Sequence, residues 1–236
     1  DARSSWNPVA ACDGMAARWV ARNVVADRFF AGYPITPASS VYKTMIDLLP
    51  HFNGLAISSP DEISALAYCV GASMRGIKSM TATSGPGWAL MIETMQYAIM
   101  TETPLVISVV QRLGPSTGGA TQGAQGDILL TEFATSGGYT IPILYPTNPR
   151  ECFELTVKAF NWSEKLRTPV ILLSDKEIGM TTETVDYSEL DKLTIENRKF
   201  LNEQEVKNSH WKNYDFNLPE EISPFIPVGG KIKVTT

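Results

Sequence analysis

The chain has 236 residues, 44% of them hydrophobic, and a formal net charge of -5. That length suits one α/β domain with a substantial core, and the interleaved charges leave no basic stripe for nucleic acid or an anionic membrane. The 3 cysteines are far apart in sequence, which excludes a CxxC metal cluster and favours a reducing compartment. Without a run of roughly 18 apolar residues or a secretory signal, we expect a soluble, cytoplasmic protein.

Between about residues 13 and 175, helical stretches alternate with short β-branched runs that are bounded by Gly, Pro or Asn. This pattern predicts an α/β fold, a doubly wound parallel sheet of about six strands with helices on both faces. The runs PLVISVV and PVILL are apolar at nearly every position and predict covered, central strands. The predicted helices are 14–26, 39–49, 61–75, 88–101, 127–136 and 149–165, and the predicted strands are 28–32, 55–58, 79–83, 105–110, 140–145 and 170–174.

The C-terminal part has a different composition. From residue 186 it is polar, with scattered aromatics and no sustained period. We therefore predict one domain over residues 1–185 and an extended arm over residues 186–236. Because the chain lacks an initiator Met and stops on KIKVTT, we expect this arm to lead to a further domain. Trp211, Tyr214, Phe216 and Phe225 could anchor the arm on a neighbouring surface, and a mobile linker is the alternative.

Four loops built from Gly, Pro, Ser and Thr follow the first four predicted strands: GYPITPASS, SSPDE, TSGPG and QRLGPSTGGATQGAQGD. In an open parallel sheet, ligands bind beyond the carboxyl ends of the strands. We therefore expect this edge to be the active face. TSGPG permits close backbone approach to a ligand because glycine has no Cβ, and a plain turn with Ser84 near a helix start is the alternative.

Charged side chains in these loops each have two interpretations. Asp61 and Glu62 open an apolar helix, where acids offset the exposed amide dipole without any further role. Arg112 leaves an apolar strand directly into the polar loop and suits a paired hydrogen bond to a carboxylate. A salt bridge to Asp127 or Glu93 is the structural alternative, and Asp127 itself has the position of a helix cap. His51 and His210 stand in ordinary polar settings, so we expect no histidine general base.

Five segments carry a resemblance to a known family: GYPITPASS, DEISALAYCVGASMRG, TSGPGWALMIETMQYA, VQRLGPSTG and TPVILLSD. In order and spacing they resemble the α subunit of 2-oxoacid:ferredoxin oxidoreductases, most of all the 2-oxoglutarate type, over about residues 14–175. The resemblance implies the pyrimidine-binding (Pyr) domain of a thiamine diphosphate site. It also implies a β subunit that holds the diphosphate, its Mg²⁺ and a [4Fe–4S] cluster. This chain has no GDG motif and no cysteine cluster, which agrees with that division and with the absence of a metal site of its own.

The resemblance also assigns roles to residues. It implies that Glu62 touches the aminopyrimidine ring and is catalytic, and that Thr36 and Arg112 bind the substrate. The reaction implied is oxidative decarboxylation of a 2-oxoacid with coenzyme A, which gives acyl-CoA, CO₂ and reduced ferredoxin. The same resemblance places Ser116 and Thr117 at the substrate and the following residues at the cofactor: Tyr33, Pro34, Ile35, Ser84, Gly85 and Pro86.

Three alternatives remain from the sequence. A pyruvate or branched-chain 2-oxoacid oxidoreductase subunit is one, because GATQGAQGD departs from the family's usual continuation and leaves the distal substrate pocket open. A transketolase-like or decarboxylating dehydrogenase half shares the glutamate but has no reason to combine YPITP with RxGPSTG. A non-catalytic scaffold on the same fold has no reason to keep Glu62, Thr36 and Arg112 together.

Overall fold

Six parallel strands form one sheet in the order β2-β1-β3-β4-β6-β5. The computed structural model describes residues 28–181, 183–184, 193–208, 211–215 and 222–234. Every residue of β3, β4 and β6 is buried, as a sheet covered on both faces requires. The strands are β1 (Arg28–Gly32), β2 (Leu55–Ser58), β3 (Lys78–Ser84), β4 (Leu105–Gln111), β5 (Ile143–Leu144) and β6 (Pro169–Asp175).

Helices cover both faces of this sheet, which confirms the predicted doubly wound fold. Along β4, Val106 joins the core beneath α1 and α5, whereas the next residue, Ile107, joins the core beneath α2 and α3. None of the described helices is long and apolar enough to cross a membrane. The helices are α1 (Ser39–Leu48), α2 (Glu62–Met74), α3 (Gly85–Met100), α4 (Asp127–Glu132), α5 (Pro149–Leu166), α6 (Lys176–Met180) and α7 (Glu203–Asn208), with 3-10 turns at Leu49–Phe52 and Ser136–Gly138.

Local chemistry fixes where the helices start. Asp61 caps α2, since its carboxylate accepts a hydrogen bond from the Ser64 backbone N–H at 2.7 Å. Helix α3 begins at Gly85, three residues before the predicted start, with Pro86 in its first turn, where the missing N–H costs no hydrogen bond. The predicted helix 14–26 lies outside the described residues.

Two predicted elements near the edge of the sheet were too long. The helix predicted over 127–136 ends at Glu132, because Gln96 donates to the carbonyl of Ala134 at 3.0 Å and draws the chain inwards. The strand predicted over 140–145 pairs only at Ile143–Leu144. Pro142 precedes this pair and Pro146 follows one residue beyond it, and proline has no N–H to donate to a ladder.

The described part of the predicted arm packs against the amino edge of the sheet, where the strands begin. Arg198 and Glu164 form a buried ion pair at 2.6 Å, and Glu164 also lies 3.6 Å from Lys78 at the start of β3. The ring of Phe225 is buried beneath the Arg198 guanidinium, 4.8 Å from its centroid. The backbone N–H of Val228 donates to the carbonyl of Met74 at 2.9 Å. These contacts hold the described segments on this domain itself, whereas Phe216 lies outside the described residues.

Candidate functional site

The strand order reverses between β1 and β3, which are neighbours in the sheet. After β1 the chain enters α1 on one face, and after β3 it enters α3 on the other. Such a switch point opens a crevice beyond the carboxyl ends of the two strands, where ligands bind in this class of fold. Residues 33–36 in the loop after β1 and residues 84–86 at the junction of β3 and α3 border this crevice, and they include all the predicted cofactor contacts except Glu62.

Glu62 is the first residue of α2 and is 8% exposed. Its side chain packs over Gly87 in the first turn of α3. A Cβ on Gly87 would lie 2.6 Å from Glu62 Cγ and 2.2 Å from Thr83 Oγ1, distances that real Cβ atoms do not show. Only glycine therefore lets the carboxylate lie this close to α3.

Two buried hydroxyls beside these loops have no hydrogen-bond partner within the described protein. Ser84 ends β3 with its side chain fully buried, and it does not cap α3. Ser59 follows β2, and its backbone N–H donates to the carbonyl of Gly32 at 2.9 Å, which ties the ends of β1 and β2 together. A buried hydroxyl costs free energy unless it is hydrogen-bonded, so both groups suit a polar ligand.

Arg112 joins two of the loops that the sequence assigned to substrate binding. Its buried guanidinium donates from Nη1 to the Thr36 carbonyl at 2.5 Å and from Nη2 to the Thr117 carbonyl at 2.8 Å. These bonds use two of its five N–H groups, and Nε is buried without a partner among the described residues. The structure thus brings Thr36, Arg112 and Thr117 together, and the guanidinium bonds go to carbonyls rather than to Asp127 or Glu93.

The residues from Arg112 to Gly126, called here the Arg112 loop, fold back on themselves. The Leu113 N–H donates to the Gln122 carbonyl at 2.8 Å, and the Gly119 N–H donates to the Leu113 carbonyl at 3.0 Å. Gly118 has a positive φ of 44°, and a Cβ there would lie 1.9 Å from the Leu113 oxygen. Ser116, at φ 57°, is exposed at the tip of the loop, so its predicted substrate contact stays a prediction.

Asp127, which the sequence interprets as a helix cap or as a salt-bridge partner of Arg112, lies beside the start of α3. The N-cap of α4 is Gly126 rather than Asp127, and Asp127 is close enough to Arg112 for the backbone N–H and the charge of Arg112 to favour the ionised form of its carboxyl. Its Oδ2 is buried without a partner and would lie 2.5 Å from a Cβ on Gly85. Burial raises the pKa of Asp127, and the charge of Arg112 opposes that rise. The contact between Asp127 and Gly85 could not be found from the sequence, because an acid in a polar loop and a glycine 42 positions earlier do not by themselves indicate a contact.

A second polar cluster joins the ends of β4, β5 and β6. Asp175 Oδ2 accepts hydrogen bonds from Tyr145 Oη and Gln125 Nε2, both at 2.9 Å. Burial alone would raise the pKa of Asp175, but hydrogen bonds from Ile178, Gln125 and Tyr145 outweigh it and hold the pKa below its ordinary value. Burial and the neighbouring Asp175 carboxylate raise the pKa of Tyr145 to about 12. At neutral pH the cluster therefore contains an ionised acceptor and a neutral phenol.

Residues 23–235 match the family described as "Pyruvate flavodoxin/ferredoxin oxidoreductase, thiamine diP-bdg". The chain belongs to this family. Among its relatives are two proteins named 2-oxoglutarate synthase subunit KorA. The one from Methanothermobacter marburgensis is 48% identical over 172 residues, which cover 73% of this chain and 45% of the relative. The one from Methanocaldococcus jannaschii is 42% identical over 204 residues, which cover 86% of this chain and 53% of the relative. The chain therefore spans about half the length of these relatives.

A solved structure of the family shows the same fold. The 2-oxoglutarate:ferredoxin oxidoreductase from Magnetococcus marinus, with 2-oxoglutarate, coenzyme A and succinyl-CoA bound, superimposes with a TM-score of 0.84 at 37% identity. The match covers 94% of this chain and 37% of that one. A thiamine diphosphate-dependent 4-hydroxybenzoylformate decarboxylase from Rhodococcus jostii RHA1 matches with a TM-score of 0.55 at 11% identity, which shows a shared fold alone. The predicted family and Pyr-domain fold are thus confirmed.

Proposed function

We propose that this chain is the pyrimidine-binding, catalytic α part of a thiamine diphosphate-dependent 2-oxoacid:ferredoxin oxidoreductase. The reaction is the oxidative decarboxylation of a 2-oxoacid with coenzyme A to acyl-CoA, CO₂ and reduced ferredoxin. The names of the KorA relatives and of the Magnetococcus marinus enzyme support 2-oxoglutarate as substrate. The observation that carries the proposal is the buried Glu62 carboxylate packed on Gly87 beside the switch point.

The residues at this point fit the aminopyrimidine half of the cofactor. Gly87 and Thr83 pack against the Glu62 side chain and fix its place, and Ser84 offers a buried hydroxyl that lacks a partner among the described residues. When bound, thiamine diphosphate supplies a nucleophilic carbon for the 2-oxo group and an electron sink for decarboxylation. Glu62 holds a proton at the pyrimidine ring nitrogen, which favours the tautomer whose exocyclic nitrogen acts as a base. The remaining cofactor contacts are Tyr33, Pro34, Ile35, Gly85 and Pro86.

Thr36 and Arg112 bind the substrate carboxylate in this proposal, with Ser116 and Thr117 beside them. Arg112 donates two of its N–H groups to the Thr36 and Thr117 carbonyls, and its other N–H groups can bind the substrate. A carboxylate held by only part of a guanidinium is bound moderately. Moderate affinity suits a group that leaves as CO₂, because only interactions that are stronger in the transition state than in the ground state accelerate the chemical step, and the carboxylate loses its charge as CO₂ departs.

In this proposal, the parts of the enzyme that bind the diphosphate and transfer electrons lie on another polypeptide. A β subunit would supply the diphosphate and Mg²⁺ site and the [4Fe–4S] cluster, with ferredoxin as acceptor. Residues 1–185 would form the pyrimidine-binding domain, and residues 186–236 would form the arm that leads away from it. The contacts of Arg198 and Phe225 with the domain support an arm that is fixed on the domain where it begins, rather than a mobile linker. A cytoplasmic location stays a prediction of the sequence.

A broader substrate range is the second candidate. The 2-oxoacid:ferredoxin oxidoreductase subunit alpha of Sulfurisphaera tokodaii is 36% identical over 214 residues, which cover 85% of this chain and 34% of the relative. Its name specifies no single 2-oxoacid. Comparison of kcat/KM for 2-oxoglutarate, pyruvate and a branched-chain 2-oxoacid separates the two candidates.

The replacement Glu62→Gln in the assembled enzyme tests the catalytic role. We expect proton exchange at the thiazolium carbon of bound cofactor to slow by about 10²–10⁴-fold, because the amide cannot hold the required proton. Cofactor binding and subunit assembly should persist. Asp61→Asn is the matched control, since Asp61 is the adjacent acid and only caps the helix. Unchanged exchange in Glu62→Gln would refute the role, and equal slowing in both variants would point to damage of α2.

A further inference from the structure

The Arg112 loop returns to the body of the domain through Gln125, Gly126 and Asp127. Gln125 Nε2 donates to Asp175 Oδ2 at the end of β6, at 2.9 Å. Two residues later, the Asp127 carboxylate lies against Gly85 at the start of α3 and near Arg112, which follows β4. Because β4 and β6 are adjacent strands, these two contacts fasten one end of the loop across two strands of the sheet.

Asp175 is a rigid point of attachment. Its Oδ1 accepts the Ile178 backbone N–H at 3.0 Å, and its Oδ2 accepts Tyr145 Oη as well as Gln125. The carboxylate is thus fixed from α6 and from the segment after β5. A hydrogen bond to an ionised acceptor is stronger than one between neutral groups, so the Gln125 contact holds the loop more firmly than an ordinary surface bond.

Asp127 sets the distance between the loop and α3. Its carboxylate lies against the Cα of Gly85, where any side chain at position 85 would displace it. Its Oδ2 is buried without a partner among the described residues, at the first residue of a 16-residue helix. The exposed amide dipole at the start of that helix attracts a negative charge. Asp127 therefore connects the predicted cofactor contacts at Ser84–Pro86 with the predicted substrate contact Arg112.

The middle of the Arg112 loop lacks comparable support. Its backbone hydrogen bonds run between its own residues, such as Leu113 with Gly119 and Gln122. Residues 113–118 are all exposed. The Arg112 guanidinium holds this exposed segment at Thr117, and the contacts of Gln125 and Asp127 hold the far end of the loop.

We propose that Gln125 and Asp127, together called the loop anchor, are positioning residues that hold the Arg112 loop over the site and thereby determine which 2-oxoacid fits. This inference rests on the proposed function. The 2-oxo and carboxylate ends of all candidate substrates are alike, so discrimination must come from protein that meets the distal end. The Arg112 loop continues directly from the residues proposed to bind the carboxylate. A loop held in one position can reject a 2-oxoacid of the wrong length, whereas a loose loop accepts 2-oxoacids of different lengths.

A double-mutant cycle in the assembled enzyme tests the anchor. We expect Gln125→Ala and Asp175→Asn each to reduce the preference for 2-oxoglutarate over pyruvate, as a ratio of kcat/KM, by about tenfold, the effect of one hydrogen bond to a charged group. The double variant should show no further loss, because Gln125→Ala removes the donor and Asp175→Asn removes the acceptor of the same bond. The single amide oxygen of asparagine is used by the Ile178 N–H, so an NH₂ group replaces the Oδ2 that accepts Gln125. Glu132→Gln, an exposed change at the end of α4, should leave the ratio unchanged. An unchanged ratio in Gln125→Ala, or additive losses, would overturn the proposal.

Hydrogen exchange of the same assemblies gives a readout that does not depend on turnover. Peptides that span residues 112–126 should exchange about tenfold faster in Gln125→Ala and Asp127→Ala than in the wild type. Asp127→Asn should restore slow exchange, because asparagine keeps the size of the side chain that packs against Gly85 and keeps one oxygen acceptor. Unchanged exchange in both alanine variants would refute the anchor. A wild-type assembly that turns over no 2-oxoacid would instead refute the proposed function and the role in substrate choice, and exchange would still decide whether the anchor holds the loop.

Discussion

The two edges of the sheet bury charged side chains in different ways. At the amino edge, the Glu164 carboxylate accepts Arg198 Nε and Nη2 at 2.9 and 2.6 Å, and Lys78 lies 3.6 Å away. At the carboxyl edge, Arg112 Nε, Asp127 Oδ2 and Ser84 Oγ are buried without partners among the described residues. Burial of polar atoms without partners costs free energy, so it persists where a ligand can use those atoms. Arg167 Nε, before β6 at the amino edge, also lacks a partner among the described residues, so the difference between the edges is one of location. The three groups at the carboxyl edge lie beside the predicted cofactor and substrate contacts, whereas the Glu164 cluster contributes to stability.

The largest change expected at the amino edge follows Arg198→Met. Removal of one partner leaves Glu164 with only Lys78 nearby, and breaking a buried ion pair costs about 3–5 kcal/mol. We expect the free energy of unfolding, measured in denaturant, to fall by that amount while kcat per folded enzyme stays the same. Arg150→Met is the control, since the exposed Arg150–Glu154 pair should contribute less than about 1 kcal/mol. Equal losses of stability in the two variants would show that the buried ion pair at the amino edge stabilises the fold no more than an exposed one.

At the carboxyl edge, Arg112→Ala should raise KM for the 2-oxoacid by about tenfold or more, since it removes a charged donor to the carboxylate and the bridge between Thr36 and Thr117. Arg112→Lys keeps the charge but lacks the planar fork that reaches both carbonyls, so it should recover only part of the loss. Steady-state kinetics measure both. Full recovery by lysine would show that the bridge is unimportant, and a defect confined to coenzyme A would show that the carboxylate assignment is wrong.

A matched pair of serine replacements gives the smallest effect and the sharpest comparison. Ser73 Oγ donates to the Pro104 carbonyl at the amino edge, so Ser73→Ala should cost about 1–3 kcal/mol. Ser84 is as deeply buried but has no partner, so Ser84→Ala should leave stability unchanged or slightly raised while weakening thiamine diphosphate binding. Thermal denaturation and calorimetric titration of the cofactor measure the two effects. A destabilised Ser84→Ala variant with unchanged cofactor affinity would assign Ser84 to the core.

The sheet could be predicted because it depends on local pattern, and the active role of its carboxyl edge stays a prediction. Apolar runs identified β4 and β6, and loops rich in Gly, Pro, Ser and Thr identified the carboxyl edge. Such features need no knowledge of which distant segments meet. The role of Glu62 follows only from the family resemblance and stays a prediction, because its local sequence fits a helix start equally well.

Asp127 and Arg198 could not be predicted in the same way. The Asp127 carboxylate meets Gly85, and Arg198 meets Glu164, 34 residues earlier in the chain. An acid near a helix start and an arginine in a polar segment are both usually exposed to solvent. A single sequence does not show which distant residue either of them contacts. The two prolines that shorten β5 are visible in the sequence, but their effect on the ladder depends on which strand lies beside them.

Gly87, which has no side chain, determines where the Glu62 carboxylate can lie. The place of Glu62 is set by the bare backbone beneath it, and Thr83 closes the same space from the other side. A methyl group at position 87 would push the carboxylate away while leaving every reactive group in the sequence intact. Under the proposed function, loss of this glycine in a related domain would therefore mark a subunit that has kept the fold but lost the catalytic place of the glutamate.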